Sequence, residues 1–131
     1  MQWYLYTDGA SRGNPGPAGA GAYLVNEAGE EFPLCQYLGE KTNNQAEYAG
    51  LLLGLKKLRE LGAKTVVIRA DSELMIRQLT GRYKVKNPDL KILFDEAQVL
   101  LKTFKLFEAH HIPREENKKA DALANQAIDE S

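Results

Sequence analysis

About a third of the way along the chain the hydrophobic pattern switches from successive strands to helices alternating with strands, and that switch limits the architecture more than any other feature. Residues 2–8 read as a strand, with Trp3 and Leu5 pointing one way and Tyr4, Tyr6 and Asp8 the other. Two more β-forming runs follow, Ala18 to Val25 and Glu31 to Leu38, joined by a hairpin-type turn at Asn26-Glu-Ala-Gly-Glu30. Gly19 and Gly21 inside the second run imply close backbone approach by a neighbouring segment. The first third is therefore an antiparallel meander.

From residue 45 onward, apolar residues recur at helical spacing. A helix is predicted from about Gln45 to Leu61, carrying Tyr48, Leu51, Leu52, Leu55 and Leu58 on one face, with Asn44 as N-cap and Gly62 as stop. Lys64 to Ala70 holds Val66-Val67-Ile68 and reads as a buried strand ending at Asp71. Ser72 caps a short helix with Met75, Ile76 and Leu79 that Gly81 ends. A helix from Pro88 to about Thr103, capped by Asn87, a strand from Lys105 to Ile112 and a helix from about Glu116 to Asp129 complete the pattern. Strands alternating with helices pair in parallel, so the expected architecture is one α/β domain over residues 1–131. Its mixed five-stranded sheet has an antiparallel meander first, strands 1, 4 and 5 parallel, and about four flanking helices.

Composition excludes several classes. No apolar run approaches the roughly 18 residues a membrane span requires, and 44% hydrophobic with 27% charged residues is a globular balance. The opening Met1-Gln2-Trp3-Tyr4 lacks the basic region of a secretory leader. A lone Cys35 cannot form an intramolecular disulfide, so it is expected to be buried in its strand and the compartment to be a reducing cytoplasm. A net charge of −1 argues against a strongly basic nucleic-acid binder. Local clusters, Arg82, Lys84, Lys86 and Lys91 and then Arg114, Lys118 and Lys119, read equally as solvated surface or as contacts to an anionic partner.

Four acids stand at element boundaries: Asp8 and Asp71 at strand ends, Glu47 and Asp121 in first helical turns. In parallel sheets ligands bind beyond the carboxyl ends of the strands. If the two helices start beside that edge, four carboxylates converge, a costly arrangement unless a cation joins them. Magnesium suits hard oxygen donors, whereas zinc would want Cys and His clusters that the chain lacks. A pair of such ions is phosphodiester-cleaving apparatus. Each acid also has a duller reading: Asp8 as turn initiator, Glu47 in a capping arrangement, Asp71 before the cap Ser72, Asp121 as a helix-dipole acid.

Four local sequences bear on that choice. Tyr6-Thr-Asp8-Gly-Ala-Ser-Arg-Gly-Asn-Pro-Gly-Pro17, Thr42-Asn-Asn-Gln-Ala-Glu47, Ala70-Asp71-Ser72 and Glu116-Asn-Lys-Lys-Ala-Asp121-Ala-Leu-Ala124 resemble, in order, the four motifs of the type 1 ribonuclease H family. The resemblance spans nearly the whole chain and implies a ribonuclease H-like fold. It also implies hydrolysis of the RNA strand of RNA/DNA hybrids with two Mg2+ ions (Mn2+ a possible substitute), leaving 3′-hydroxyl and 5′-phosphate ends. Asp8 would bridge both ions, and Glu47, Asp71 and Asp121 would complete the coordination. Gly9, Ala10 and Ser11 would face the RNA sugars, where the 2′-hydroxyl marks RNA. Asn14, Thr42, Asn43, Asn44, Gln45 and Ser72 would contact the hybrid.

The chain departs from the commonest bacterial pattern twice, and so resembles a compact, archaeal-type branch. His111 has the family's helper spacing of ten residues before the last acid, but it runs off a strand with no glycine-rich loop; Arg114 is the alternative helper, a cation that cannot act as a base. An extra basic helix is missing between Gly81 and Pro88, which leaves Arg82, Tyr83, Lys84, Lys86 and Asn87 as contacts to the DNA strand. A monomer is expected.

Overall fold

The computed structural model describes all residues 1–131. Strand β1 (Gln2–Ser11) pairs antiparallel with β2 (Gly16–Asn26), which pairs antiparallel with β3 (Glu31–Lys41). Helix α1 (Asn43–Glu60) leads to β4 (Thr65–Ala70), then α2 (Glu73–Leu79), α3 (Pro88–Leu101), β5 (Leu106–His111), a 3₁₀ turn (Arg114–Glu116) and α4 (Lys118–Asp129). The order β3-β2-β1-β4-β5, with β1/β4 and β4/β5 parallel, is the mixed five-stranded sheet and four-helix set expected from the sequence.

Trp3 and Leu5 are buried while Tyr4 and Tyr6 on the opposite face are half-buried. Leu5, Leu24, Leu51, Leu55, Leu58, Val66 and Ile68 form the centre of the core. The buried Tyr48 hydroxyl donates to Gln78 Oε1 at 2.5 Å, tying α1 to α2.

Glycines set how closely the helices approach the sheet. A Cβ on Gly9 would lie 2.2 Å from the Ala46 carbonyl carbon, and one on Gly50 would lie 2.5 Å from the Asp8 carbonyl oxygen, so α1 rests backbone to backbone on β1. Gly21, the cross-strand partner of Asp8, would meet Ala120 O at 2.3 Å, and Gly19 would meet Ala124 O at 2.3 Å. Successive strand residues face opposite ways, so α1 and α4 clasp the end of β1 from opposite faces. The close approach inferred from Gly19 and Gly21 is thus the docking of α4.

Several boundaries differ from expectation for identifiable reasons. The turn-rich segment after Asp8 stays in the sheet as far as Ser11, because pairing continues from Asp8↔Gly21 to Ser11↔Ala18. β2 and β3 lengthen with it, and their register shifts between Ala18 and Gly19. The cap of α1 is Thr42, not Asn44: Thr42 Oγ1 accepts from Gln45 N (3.2 Å) while Gln45 Oε1 accepts from Thr42 N (2.9 Å), a reciprocal box that starts the helix two residues early. Cys35 is exposed rather than buried, since β3 is an edge strand whose covered face carries Phe32 and Leu34 instead. The expected start of the last helix at Glu116 falls in the 3₁₀ turn, and α4 begins at Lys118. α3 ends at Leu101 and β5 spans 106–111, each shorter than its sequence pattern.

Candidate active site

The clasp at the end of β1 brings the acids together. Carboxylate oxygens of Asp8, Glu47 and Asp71 lie within 4.8 Å of one another. Asp121 completes the set from α4, close enough to Asp8 to raise its pKa both by charge and by hydrogen bonding. All four line one cavity of about 460 Å³ with Gly9, Ser11, Asn43 and the guanidinium residues Arg12 and Arg114. β1 supplies Asp8, α1 supplies Glu47 in its second turn, the β4–α2 junction supplies Asp71, and the first turn of α4 supplies Asp121.

Electrostatics show how costly this gathering is. Burial, then the charges of Asp71 and Asp121, push the Asp8 carboxyl up to about 8, against one stabilising hydrogen bond from Gly9 N (2.8 Å). Burial raises Glu47 to about 7, with Asp71 adding to the rise and the Ser72 hydroxyl opposing it. Burial raises Tyr48 as well. None of the four acids forms an ion pair with a Lys, Arg or His. Clustered carboxylates with oxygen donors only and no cationic partner fit a hard divalent cation.

The 3₁₀ turn and α4 are held against β1 by a residue whose role the sequence pattern did not show. Asn117, 1% exposed, donates from Nδ2 to the Thr7 carbonyl at 2.8 Å, beside Asp8. Its backbone N donates to Arg114 O (3.0 Å) and its carbonyl accepts from Asp121 N (3.1 Å). One asparagine therefore connects the segment bearing Arg114, the helix bearing Asp121 and the strand bearing Asp8. An Asn four residues before an acid was the available signal, as an N-cap type, but its side chain is spent on the sheet and caps nothing. On the other side of Asp121, Asn125 donates from Nδ2 to the Asp121 carbonyl (3.0 Å) and to its Oδ1 (3.4 Å).

Of the two proposed helpers, Arg114 lines the acid cavity and His111 does not. His111 lies at the exposed end of β5, in a separate groove of about 320 Å³ with Glu73, Arg77, Thr80, Arg82 and His110. The residues expected to touch nucleic acid fall into two groups. Asn14, Thr42, Asn44, Gln45 and Asn87 line a second cavity of about 330 Å³. The Asn43 Oδ1 accepts from Ser11 N (3.1 Å) and the Asn14 Oδ1 from Asn43 N (3.1 Å), which locks the β1–β2 connection to α1 and leaves both Nδ2 donors for a partner. Ser72 caps α2 through Met75 N (3.2 Å), and Asn87 caps α3 through Asp89 N and Leu90 N. Lys84 and Lys86 stand apart in the exposed segment between α2 and α3, with Tyr83 under Arg77 at 5.2 Å.

Acids gathered at the carboxyl edge of a sheet with this strand order form a site suited to metal-assisted chemistry on a phosphodiester. A family model described as reverse transcriptase-like matches residues 6–127. Together with the relatives that follow, it shows that the chain belongs to the ribonuclease H family. The crystal structure of RNase H1 from the halophilic archaeon Halobacterium salinarum superposes with a TM-score of 0.95 at 41% identity, covering 100% of each chain. LC11-RNase H1 in complex with an RNA/DNA hybrid gives 0.91 at 43% identity, covering 98% of this chain and 97% of that one. The bifunctional protein Rv2228c of Mycobacterium tuberculosis is 45% identical over 132 residues, 98% of this chain. The chain spans only 36% of that relative's length.

Proposed function

We propose that the protein is an endonuclease that hydrolyses the RNA strand of RNA/DNA hybrids, leaving 5′-phosphate and 3′-hydroxyl ends. The observation that carries this reading is the unpaired quartet Asp8, Glu47, Asp71 and Asp121, gathered from four separate elements in a chain of the ribonuclease H family. The solved complex of LC11-RNase H1 with an RNA/DNA hybrid supports the substrate.

The quartet would hold two Mg2+ ions, with Mn2+ as a substitute; when bound, they supply activation of the attacking water and charge stabilisation at the leaving oxygen. Asp8, with Asp71 and Asp121 close enough to act on its carboxyl, would serve both ions. Burial and neighbouring carboxylates raise the carboxyls of both Asp8 and Glu47, and a bound divalent cation would favour their charged forms. Arg114 sets a permanent positive charge at the cavity wall, suited to a phosphate oxygen and unable to take a proton. Gly9, Ala10 and Ser11 present backbone along the same wall, where a ribose would pass. Asn14, Asn43 and Asn44 would steady the hybrid through amide donors, and Lys84 and Lys86 would meet phosphates of the DNA strand.

Incubation with Mg2+ or Mn2+ and labelled RNA/DNA hybrid, RNA/RNA, single-stranded RNA or branched DNA tests the assignment. Hybrid cleavage is expected, with loss on the order of a thousandfold in Asp8→Asn. Binding without cleavage would make the chain a hybrid-binding module, and cleavage surviving Asp8→Asn would remove the acid quartet from the chemistry.

A further inference from the structure

Four carboxylates and only two cations line the cavity, and one of those cations, Arg12, has no role in the scheme above. Arg12 follows directly on β1, with its backbone fixed by a hydrogen bond from its N to Pro17 O (2.8 Å). Its side chain lies across α4, with Nη2 2.7 Å from Asp129 Oδ1 and 3.4 Å from Asn125 Oδ1. Both partners of the ion pair are open to water, at 47% and 61% exposure, so the pair contributes little and is readily exchanged. A phosphate offers the same guanidinium a bidentate, charge-assisted partner. A polyanion approaching four acids also gains most from a cation at the rim of that cavity.

We infer that Arg12 is a substrate-binding residue that grips a phosphate of the cleaved strand beside the scissile one, and that Asp129 holds its place in the free protein. Asn125 links the two functions, since it accepts from Arg12 and donates to Asp121. The inference rests on the proposed hybrid substrate and adds a residue and an exchange of partners to it.

The test is binding of labelled RNA/DNA hybrid at several salt concentrations under Mg2+, in an Asp8→Asn background that leaves the hybrid intact. Arg12→Ala is expected to weaken binding roughly fivefold to tenfold and to lower the slope of log affinity against log salt by about one, with an unchanged thermal midpoint. Arg12→Lys should restore the slope, and Asp129→Asn should bind more tightly than the background. An unchanged slope in Arg12→Ala, or weakening by Asp129→Asn equal to that of Arg12→Ala, would overturn the inference and leave the nuclease reading intact. Absence of hybrid binding by the background protein itself would instead overturn the substrate assignment on which both rest.

Discussion

The acid cavity and the segment between α2 and α3 were both expected to meet nucleic acid, yet they are built in opposite ways. Around the cavity, backbone touches backbone: Gly9 and Gly50 seat α1 on β1, Gly21 seats α4, and Asn117 joins Thr7, Arg114 and Asp121 through buried or short hydrogen bonds. Between α2 and α3, Arg82, Lys84 and Lys86 project from irregular, exposed chain, and none of the three forms an ion pair. Chemistry that depends on carboxylate spacing calls for rigid scaffolding. Contact with a phosphate backbone calls only for charge within reach.

The contrast is broken most severely at Gly9. Gly9→Ala should cost about 3 kcal/mol of stability, because the new methyl meets the Ala46 and Glu47 backbone, which has no flexible end to yield. Chemical denaturation measures the loss, and residual activity should fall further than the folded fraction does, since Glu47 moves with the helix. A variant as stable as wild type would show that α1 can back away without consequence.

Arg114 and His111 sharpen the comparison next. Arg114→Ala should lower kcat roughly tenfold, the effect of one charge beside the reacting phosphate, while His111→Ala should change it much less because His111 lies in the neighbouring groove. The reverse ranking in steady-state kinetics would move the helper role to His111. The smallest effect belongs to the exposed segment. Lys84→Ala with Lys86→Ala should reduce the salt slope of hybrid binding by about two and leave kcat unaltered; an unaltered slope would take the segment out of the interface.

What was legible in the sequence follows the same division. Strand and helix order, the parallel crossovers and all four acids could be read, because periodicity and local motifs report them. The sequence also placed Arg114 and His111 as rivals, and only the path of the chain after β5, through a 3₁₀ turn tethered by Asn117, separates them in space. Arg12 and Asn125 sit inside or beside the quoted motifs, but they lie 113 residues from each other in the chain, beyond any local pattern. The exposure of Cys35 depends on β3 forming the sheet edge, a fact of topology rather than of composition. Thr42 and Asn44 are both good caps, and the reciprocal bond from Gln45 decides between them.

Thermal unfolding across pH, with and without Mg2+, tests the central claim that the quartet is a cation site. Asp8 and Glu47 have folded pKa values, about 8 and about 7, raised above their ordinary 3.8 and 4.5. Without a cation their contribution is therefore fully present below the ordinary values and lost as pH rises through 7 and 8, so the midpoint should fall from about pH 4 to about pH 8. Mg2+ should reverse that fall, stabilising most at the alkaline end, and Asp8→Asn should blunt both the fall and the rescue. A midpoint that ignores Mg2+ at every pH, or an equal rescue in Asp8→Asn, would contradict the account.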